Sequence, residues 1–273
     1  MTDKMITSRS NNLIKYARAV RDGKHRGLMF LEGLRLCEEA RDSLSVDDIQ
    51  DVIYTERISN DERGSYLLDS LRETGKPLTL VSESVFSSIS NMKSPEGIVI
   101  LAARPVTRHS SSLKISDEIP LIVIMHRINN PSNAGAILRT AEAMGVSGVI
   151  VTEGTTDIFA PRALRGAMGS SLRLKIWTGA RFFQAIAFCR RQSIRVACAE
   201  LHARSSHTEI DWTVPKALLV GSEATGLTPD EIAAADESLT IPMRPPVESL
   251  NVAVATGIIL FEAARQRAVG SRQ

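Results

Sequence analysis

Aromatic residues are scarce in this chain, with seven Phe, three Tyr and two Trp among 273 residues. A core for that length must be filled by aliphatic side chains, and a hydrophobic fraction of 43% is ample for it. Cysteine is scarcer. Cys37, Cys189 and Cys198 are odd in number and lack metal-ligand spacing, which argues against a disulfide framework and against a bound metal. No apolar run approaches the roughly 20 residues of a bilayer-spanning helix. The opening MTDKMITSRSNN has no apolar stretch behind its charges, so no secretory signal is expected. The expectation is a reduced, cytoplasmic chain with no membrane and no metal. His202 and His207, five apart in a polar stretch, read as surface-loop residues.

A strong charge of one sign is also lacking, since the formal net charge is only +2. The distribution is more informative. Lys4, Arg9, Lys15, Arg18, Arg21, Lys24 and Arg26 are opposed only by Asp22. A local excess of that kind suits a polyanion such as RNA, and a solvated helix face is the alternative.

Helical and strand-like patterns alternate along the chain. Residues 1–104 read as one unit, a small α/β sandwich. Residues 105–119, PVTRHSSSLKISDEI, are polar and Ser-rich, which suits a linker. Residues 120–273 form a second alternation. PLIVIM, VSGVIVT, IRVACAE, KALLVGSE and SLTIPM are continuous apolar strands separated by helical stretches. That pattern predicts a parallel sheet covered on both faces. In TPDE, Thr228, Pro229 and Glu231 predict a capped helix start.

Three loops of the second unit follow strands, where open parallel sheets place ligands. The first is NPSNAGAILRTAEAMG, residues 130–145. Pro131 fixes a turn and Asn133 can bond nearby backbone. Ile137, Ala141 and Met144 share one helix face, and Arg139 lies off it. An arginine there suits a phosphate, because its planar fork pairs oxygens bidentately, although an exposed salt bridge is the plainer use. The second loop, LLVGSEATGL, has Gly221 and Gly226 around Glu223, a carboxylate suited to a hydroxyl or to pairing with an arginine. The third, IPMRPPVESLNVAVATG, places Ser249 and Asn251 where either would cap the last helix. No G-x-G-x-x-G fingerprint, P-loop or G-x-S-x-G elbow occurs in these loops, which argues against dinucleotide binding, P-loop chemistry and serine hydrolysis.

Taken in order, these three motifs resemble the SpoU branch of the SPOUT superfamily, the RNA ribose 2′-O-methyltransferases. The resemblance spans about residues 120–267. ITSRSNNLIKYARAVRDGKHR and FLEG look more loosely like the ribosomal-protein-like RNA-binding domain that many members carry in front. The resemblance implies a parallel α/β sheet with a deep trefoil knot, S-adenosylmethionine as cofactor, a homodimer, and RNA as substrate. Ribosomal RNA is favoured by the separate N-terminal unit. Transfer RNA, or a non-catalytic RNA-binding protein of the same fold, are the alternatives. Carried over by position, Arg139, Asn133, Glu223, Ser249 and Asn251 match the catalytic set. Gly221, Ile241 and Leu250, with Leu219, Met243 and Gly226, match the cofactor-binding set. Arg9, Lys15, Arg18, Arg21, Lys24 and Arg26 are the candidate RNA contacts. Arg139 is better suited to clamp a phosphate than to act as a base, since a guanidinium keeps its proton. Glu223 would pair with Arg139. Two departures from the family pattern stand out. Where relatives have a small hydroxyl residue, this chain reads Arg165, Gly166, Ala167, Met168, Gly169. The HRINN before the first motif is more basic than in relatives, which suggests either an extra RNA contact or no role.

Overall fold

The computed structural model describes residues 5–105, 107, 109–110, 113 and 115–270. Lys4 and part of the 105–119 stretch lie outside the described residues. The chain divides into two compact units. One comprises residues 1–105 and 158–173, and the other residues 106–157 and 174–273. The second stretch of the first unit, 158–173, comes from the part of the sequence that the strand pattern assigned to the second.

The first unit runs α1 (Asn12–Arg21), β1 (Leu28–Glu32), α2 (Leu34–Ser43), β2 (Ile49–Tyr54), α3 (Glu56–Ser59), α4 (Glu62–Glu73), β3 (Leu78–Leu80), α5 (Glu83–Ile89) and β4 (Ile98–Ala103). The strands form one mixed sheet in the order β1-β4-β2-β3. β4 is antiparallel to both β1 and β2, and β2 is parallel to β3. Asn11 starts α1 by accepting the Leu13 N–H, and Ile14, Ala17 and Val20 then recur on its buried face. With Val85, Phe86 and Ile89 of α5 they pack against Phe30, Ile53, Val99 and Leu101 of the sheet. All five residues of β1 are buried, and Cys37 of α2 donates its thiol to the Leu31 carbonyl. The sheet is therefore covered on both faces, which is why β1 and β4 read as continuous apolar runs rather than alternating ones.

The second unit supplies β5 (Leu121–Met125), α6 (Pro131–Ala143), β6 (Gly148–Thr152), β7 (Ile176–Ala180), α9 (Phe182–Arg191), β8 (Arg195–Ala199), β9 (Ser205–Ser206), β10 (Lys216–Val220), α10 (Pro229–Ala233), β11 (Glu237–Thr240) and α11 (Val252–Gly270). Between β6 and β7 run α7 (Pro161–Ala167) and α8 (Ser170–Arg173), which belong to the first unit. The sheet has the order β7-β6-β5-β10-β8-β11-β9, and every pairing in it is parallel. All its strand ends therefore emerge on one side. The order reverses beside β5, where the chain returns to lay β10 between β5 and β8, and such a switch point is where ligands bind. β5, β6 and β10 are buried at all five positions.

Several elements had no clear signal in the sequence, β7, α7 and α5 among them. IWTGA of β7 is interrupted by Gly179 at φ 72°. α7 begins with Pro161 at its first turn and ends on Met168 in the left-handed region. α5 is started by Ser82, whose hydroxyl accepts the Val85 N–H. Ala167, the position where a hydroxyl is expected from relatives, is fully buried, and α7 packs against β1. A hydroxyl there would face the core.

The first residue of β10, Lys216, is 1% exposed and its ammonium is paired with Glu237 at the start of β11. Removing one partner of a buried pair leaves an uncompensated charge. Glu237→Gln is expected to cost about 3 kcal/mol, whereas Lys216→Met, which removes the buried charge itself, costs under about 1 kcal/mol. Urea unfolding of the two variants checks this, and equal losses would contradict it.

Candidate active site

The loops after β8, β10 and β11 enclose a cavity of about 740 Å³, within the range of small-molecule sites. Asn133, Glu223, Ser249 and Asn251 line it, as do Gly221, Gly226, Ile241, Met243 and Leu250. The structure thus gathers nine of the expected residues from four separate stretches of the chain. Two others are elsewhere. Leu219 is buried in the sheet core with Ile124, Val196 and Cys198. Arg139 is exposed on α6 and does not line the cavity.

A chain of hydrogen bonds ties the loops together. Asn251 accepts the N–H groups of Ala253 and Val254 and so caps α11. Its amide donates to Asn133 Oδ1 at 3.1 Å. Asn133 Nδ2 donates in turn to Glu223 Oε1 at 3.0 Å. Glu223 also accepts the N–H of Asn129 at 3.0 Å and that of Asn130 at 3.3 Å. Of the two candidate caps, Asn251 takes the helix and Ser249 is left facing the cavity. The cap of α6 is Asn130, whose side chain accepts the Ser132 N–H, which frees Asn133 for the relay. Thr228 and Glu231 form the capping box expected for α10.

Glu223 does not pair with Arg139. Burial works to raise the Glu223 carboxyl pKa, but bonds from Asn133 and from backbone N–H groups outweigh it and hold the group below its ordinary value. Arg139 has no hydrogen bond or ion pair among the described residues. The basic residues before the first motif are engaged by an acid of the same chain. His126 Nε2 lies 2.9 Å from Glu231 Oε1, and Arg127 Nη2 donates to Glu231 Oε2 at 2.7 Å. Nothing in the spacing of HRINN and TPDE showed that pairing.

The walls fit an amphiphilic cofactor. Bare backbone at Gly221 and Gly226 is flanked by Leu227, Ile241, Met243 and Leu250. The turn needs glycine twice. A Cβ on Gly221 would stand 2.8 Å from Leu227 Cδ2, and Gly226 has φ 61°. Among the described residues no cluster of His, Cys, Asp and Glu is arranged to hold a metal, and no helix is long and apolar enough to cross a membrane.

The family model of the SpoU rRNA methylases matches residues 120–261. The chain belongs to that family. A second model, the MRM3-like substrate-binding domain, matches residues 11–100. The chain is 26% identical over 261 residues to the 23S rRNA (guanosine(2553)-2′-O)-methyltransferase RlmP of Bacillus subtilis, covering 94% of this chain and 98% of that protein. It is 38% identical over 149 residues to the tRNA (guanosine(18)-2′-O)-methyltransferase of Escherichia coli, covering 54% of this chain and 64% of that one. Among solved structures, an AdoMet-bound rRNA methyltransferase from Sinorhizobium meliloti superimposes with a TM-score of 0.81 at 29% identity, covering 96% and 97% of the two chains.

Of the basic stretch, Arg9, Lys15, Lys24 and Arg26 are exposed. Arg18 donates to the Ser88 carbonyl and hydroxyl, and Arg21 to the carbonyls of Ser88 and Ile89 and to Asp22. Those two arginines close the C-terminal end of α5, where positive charge meets free carbonyls.

Because the Glu223 carboxyl is held below its ordinary pKa, its contribution to stability is present above the unfolded value, about 4.3, and is lost as pH falls through the folded one. Glu223→Gln is expected to flatten the fall of denaturant stability as the pH drops below the unfolded value of about 4.3. An unchanged acid limb would contradict the relay.

Proposed function

We propose that the protein is an S-adenosylmethionine-dependent RNA ribose 2′-O-methyltransferase that acts on ribosomal RNA as a cytoplasmic homodimer. The observation that carries this is the Asn251–Asn133–Glu223 relay closing three strand-end loops around one glycine-walled cavity. When bound, the cofactor supplies an electrophilic methyl group on a sulfonium. Gly221, Gly226, Ile241, Met243 and Leu250 would hold it, with Leu219 supporting the wall from beneath. Ser249 and Asn251 face the same space and would orient the ribose. Alignment of this kind supplies several kcal/mol of a bimolecular barrier. The reading extends to the deep trefoil knot that the family resemblance implies. Support for it lies in the strand order, with β10 inserted between β5 and β8 and α11 packed back on α6.

Arg139 would clamp the phosphate beside the target ribose. It is exposed, without an acid partner among the described residues, and outside the cavity of its own chain, so a second copy is the natural source of the cavity it serves. On α11, Val254 and Phe261 are 52% and 63% exposed, with Ile258 between them on the same face. Gly257 of this helix abuts Thr140, the neighbour of Arg139, and a Cβ at Gly257 would stand 3.7 Å from Thr140 Cγ2. An apolar stripe beside an unpaired arginine suits an interface that completes the site.

The first unit would bind RNA backbone through Arg9, Lys15, Lys24 and Arg26, with Arg18 and Arg21 shaping that surface from beneath. The ribosomal assignment is favoured by coverage. The likeness to the Bacillus subtilis rRNA enzyme extends over both units, whereas that to the Escherichia coli tRNA enzyme covers about half of the chain.

Arg139→Ala is expected to fold and bind S-adenosylmethionine normally while losing methylation by roughly a hundredfold or more. Tritium transfer to ribosomal RNA together with cofactor calorimetry checks this, and full-rate turnover would remove the assignment. RNA affinity should fall steeply with salt, and neutralising each of Arg9, Lys15, Lys24 and Arg26 should lower the slope by about one phosphate contact. A slope unchanged in the fourfold variant would move the RNA surface elsewhere.

A further inference from the structure

The five residues between β5 and α6, His126 to Asn130, make a loop that carries the first motif. Its far end is held by Glu223, through the N–H groups of Asn129 and Asn130. Its near end is held by a second carboxylate, Glu231, which nothing in the methyltransferase reading uses. Glu231 Oε1 meets His126 Nε2 at 2.9 Å, and Glu231 Oε2 accepts from both Arg127 Nη2 at 2.7 Å and the Thr228 N–H at 2.8 Å. The other ring nitrogen of His126 meets the Thr152 hydroxyl at 2.9 Å, and Phe182 lies against the imidazole with ring centroids 4.8 Å apart. His126 is thus oriented from β6, α9 and α10 together.

Arg127 makes the arrangement informative. Its φ is 54°, in the left-handed region. A non-glycine residue there costs of order 1 kcal/mol or more and persists when its surroundings over-determine it. Glycine would adopt that conformation freely. The chain nevertheless has a long side chain at this position. Its Nε has no acceptor, so the hold of the guanidinium rests on Nη2 and Glu231. A capping glutamate needs only the Thr228 N–H to start α10. The two contacts to His126 and Arg127 are additional to capping, and they join α10 to the loop. Ile232, the next residue on α10, lines the cavity, as does Asn133 just past the loop.

We infer that His126, Arg127 and Glu231 form a clamp that positions the first-motif loop, so that the N–H groups of Asn129 and Asn130 and the amide of Asn133 meet Glu223 and shape the cofactor cavity. They are positioning residues, acting through Glu223 and Asn133 rather than on substrate. The inference rests on the methyltransferase reading for its effect on cofactor, but not for the clamp itself.

A double-mutant cycle tests it, using Arg127→Gly, Glu231→Gln and their combination, with Arg127→Lys as the conservative variant. Gln at position 231 keeps the helix cap, and Gly at 127 relieves the backbone strain, so both variants are expected to fold with melting temperatures close to the parent. Calorimetry with S-adenosylmethionine should show each single variant weakened roughly tenfold, which is about 1.4 kcal/mol. The combination should be no weaker than either single, because the two residues make one interaction. Arg127→Lys should restore most of the affinity. Amide exchange at Asn129 and Asn130 should speed up in both single variants. Parent-like affinity and exchange in both, strictly additive losses, or a loss of affinity that tracks a fall in melting temperature would overturn the clamp. A parent protein that binds no cofactor would instead sink the methyltransferase reading, and exchange at those two amides would still decide the clamp.

Discussion

The Glu223 carboxylate is the point on which the site depends. It accepts from two backbone N–H groups of the first loop and from Asn133, which accepts from Asn251 at the head of α11. Loops from different strands have no intrinsic reason to stay together, because each loses conformational entropy when ordered. A carboxylate that gathers neutral donors from several of them offsets that loss, since hydrogen bonds to a charged acceptor are stronger than neutral ones. Its partners are amides rather than a cation. The negative charge is used in holding loops, and Arg139 is left exposed on α6 without that acid as a partner.

The sheet makes this convergence possible. Every strand pairing in the sheet of the second unit is parallel, so Met125, Ala199, Val220 and Thr240 all end on one side. Laying β10 between β5 and β8 brings the Gly221–Gly226 turn beside the first loop. The central strands β5, β6 and β10 are buried throughout and contribute stability. The polar chemistry is confined to the turns beyond them, where glycines remove side chains that would obstruct the backbone.

Much of this was legible in the sequence, and the limits are physical. Continuous apolar runs such as LIVIM and KALLV announced a sheet buried on both faces, and TPDE announced a capped helix, because both signals are local. Nine of the eleven residues expected in the catalytic and cofactor sets converge on one cavity for a topological reason, since strand ends of a parallel sheet must share a side. What was not legible depends on partners distant in the chain. Glu223 lies 90 residues from Asn133, and no spacing rule tells whether such a carboxylate takes an amide or an arginine. Leu219 has the composition of a pocket residue, yet strand alternation turns it into the core. β7 carries a weak signal because Gly179 breaks an otherwise strand-like pattern.

The basic residues show the same point from the side of charge. Arg18 and Arg21 are spent on the carbonyls that end α5, and Arg127 is matched by Glu231. A count of positive charges along the chain therefore overstates what is available to a polyanion. In the proposed reading the exposed side chains Arg9, Lys15, Lys24 and Arg26 would be point contacts to phosphate, and such contacts set position and affinity without reading bases. Target choice must then come from elsewhere in the substrate's encounter with the protein. On the proposed reading, the shape of the cavity and the geometry with which a clamped ribose would meet it are the features left to discriminate one nucleotide from another. The burden of specificity would then fall on the same three loops that Glu223 holds.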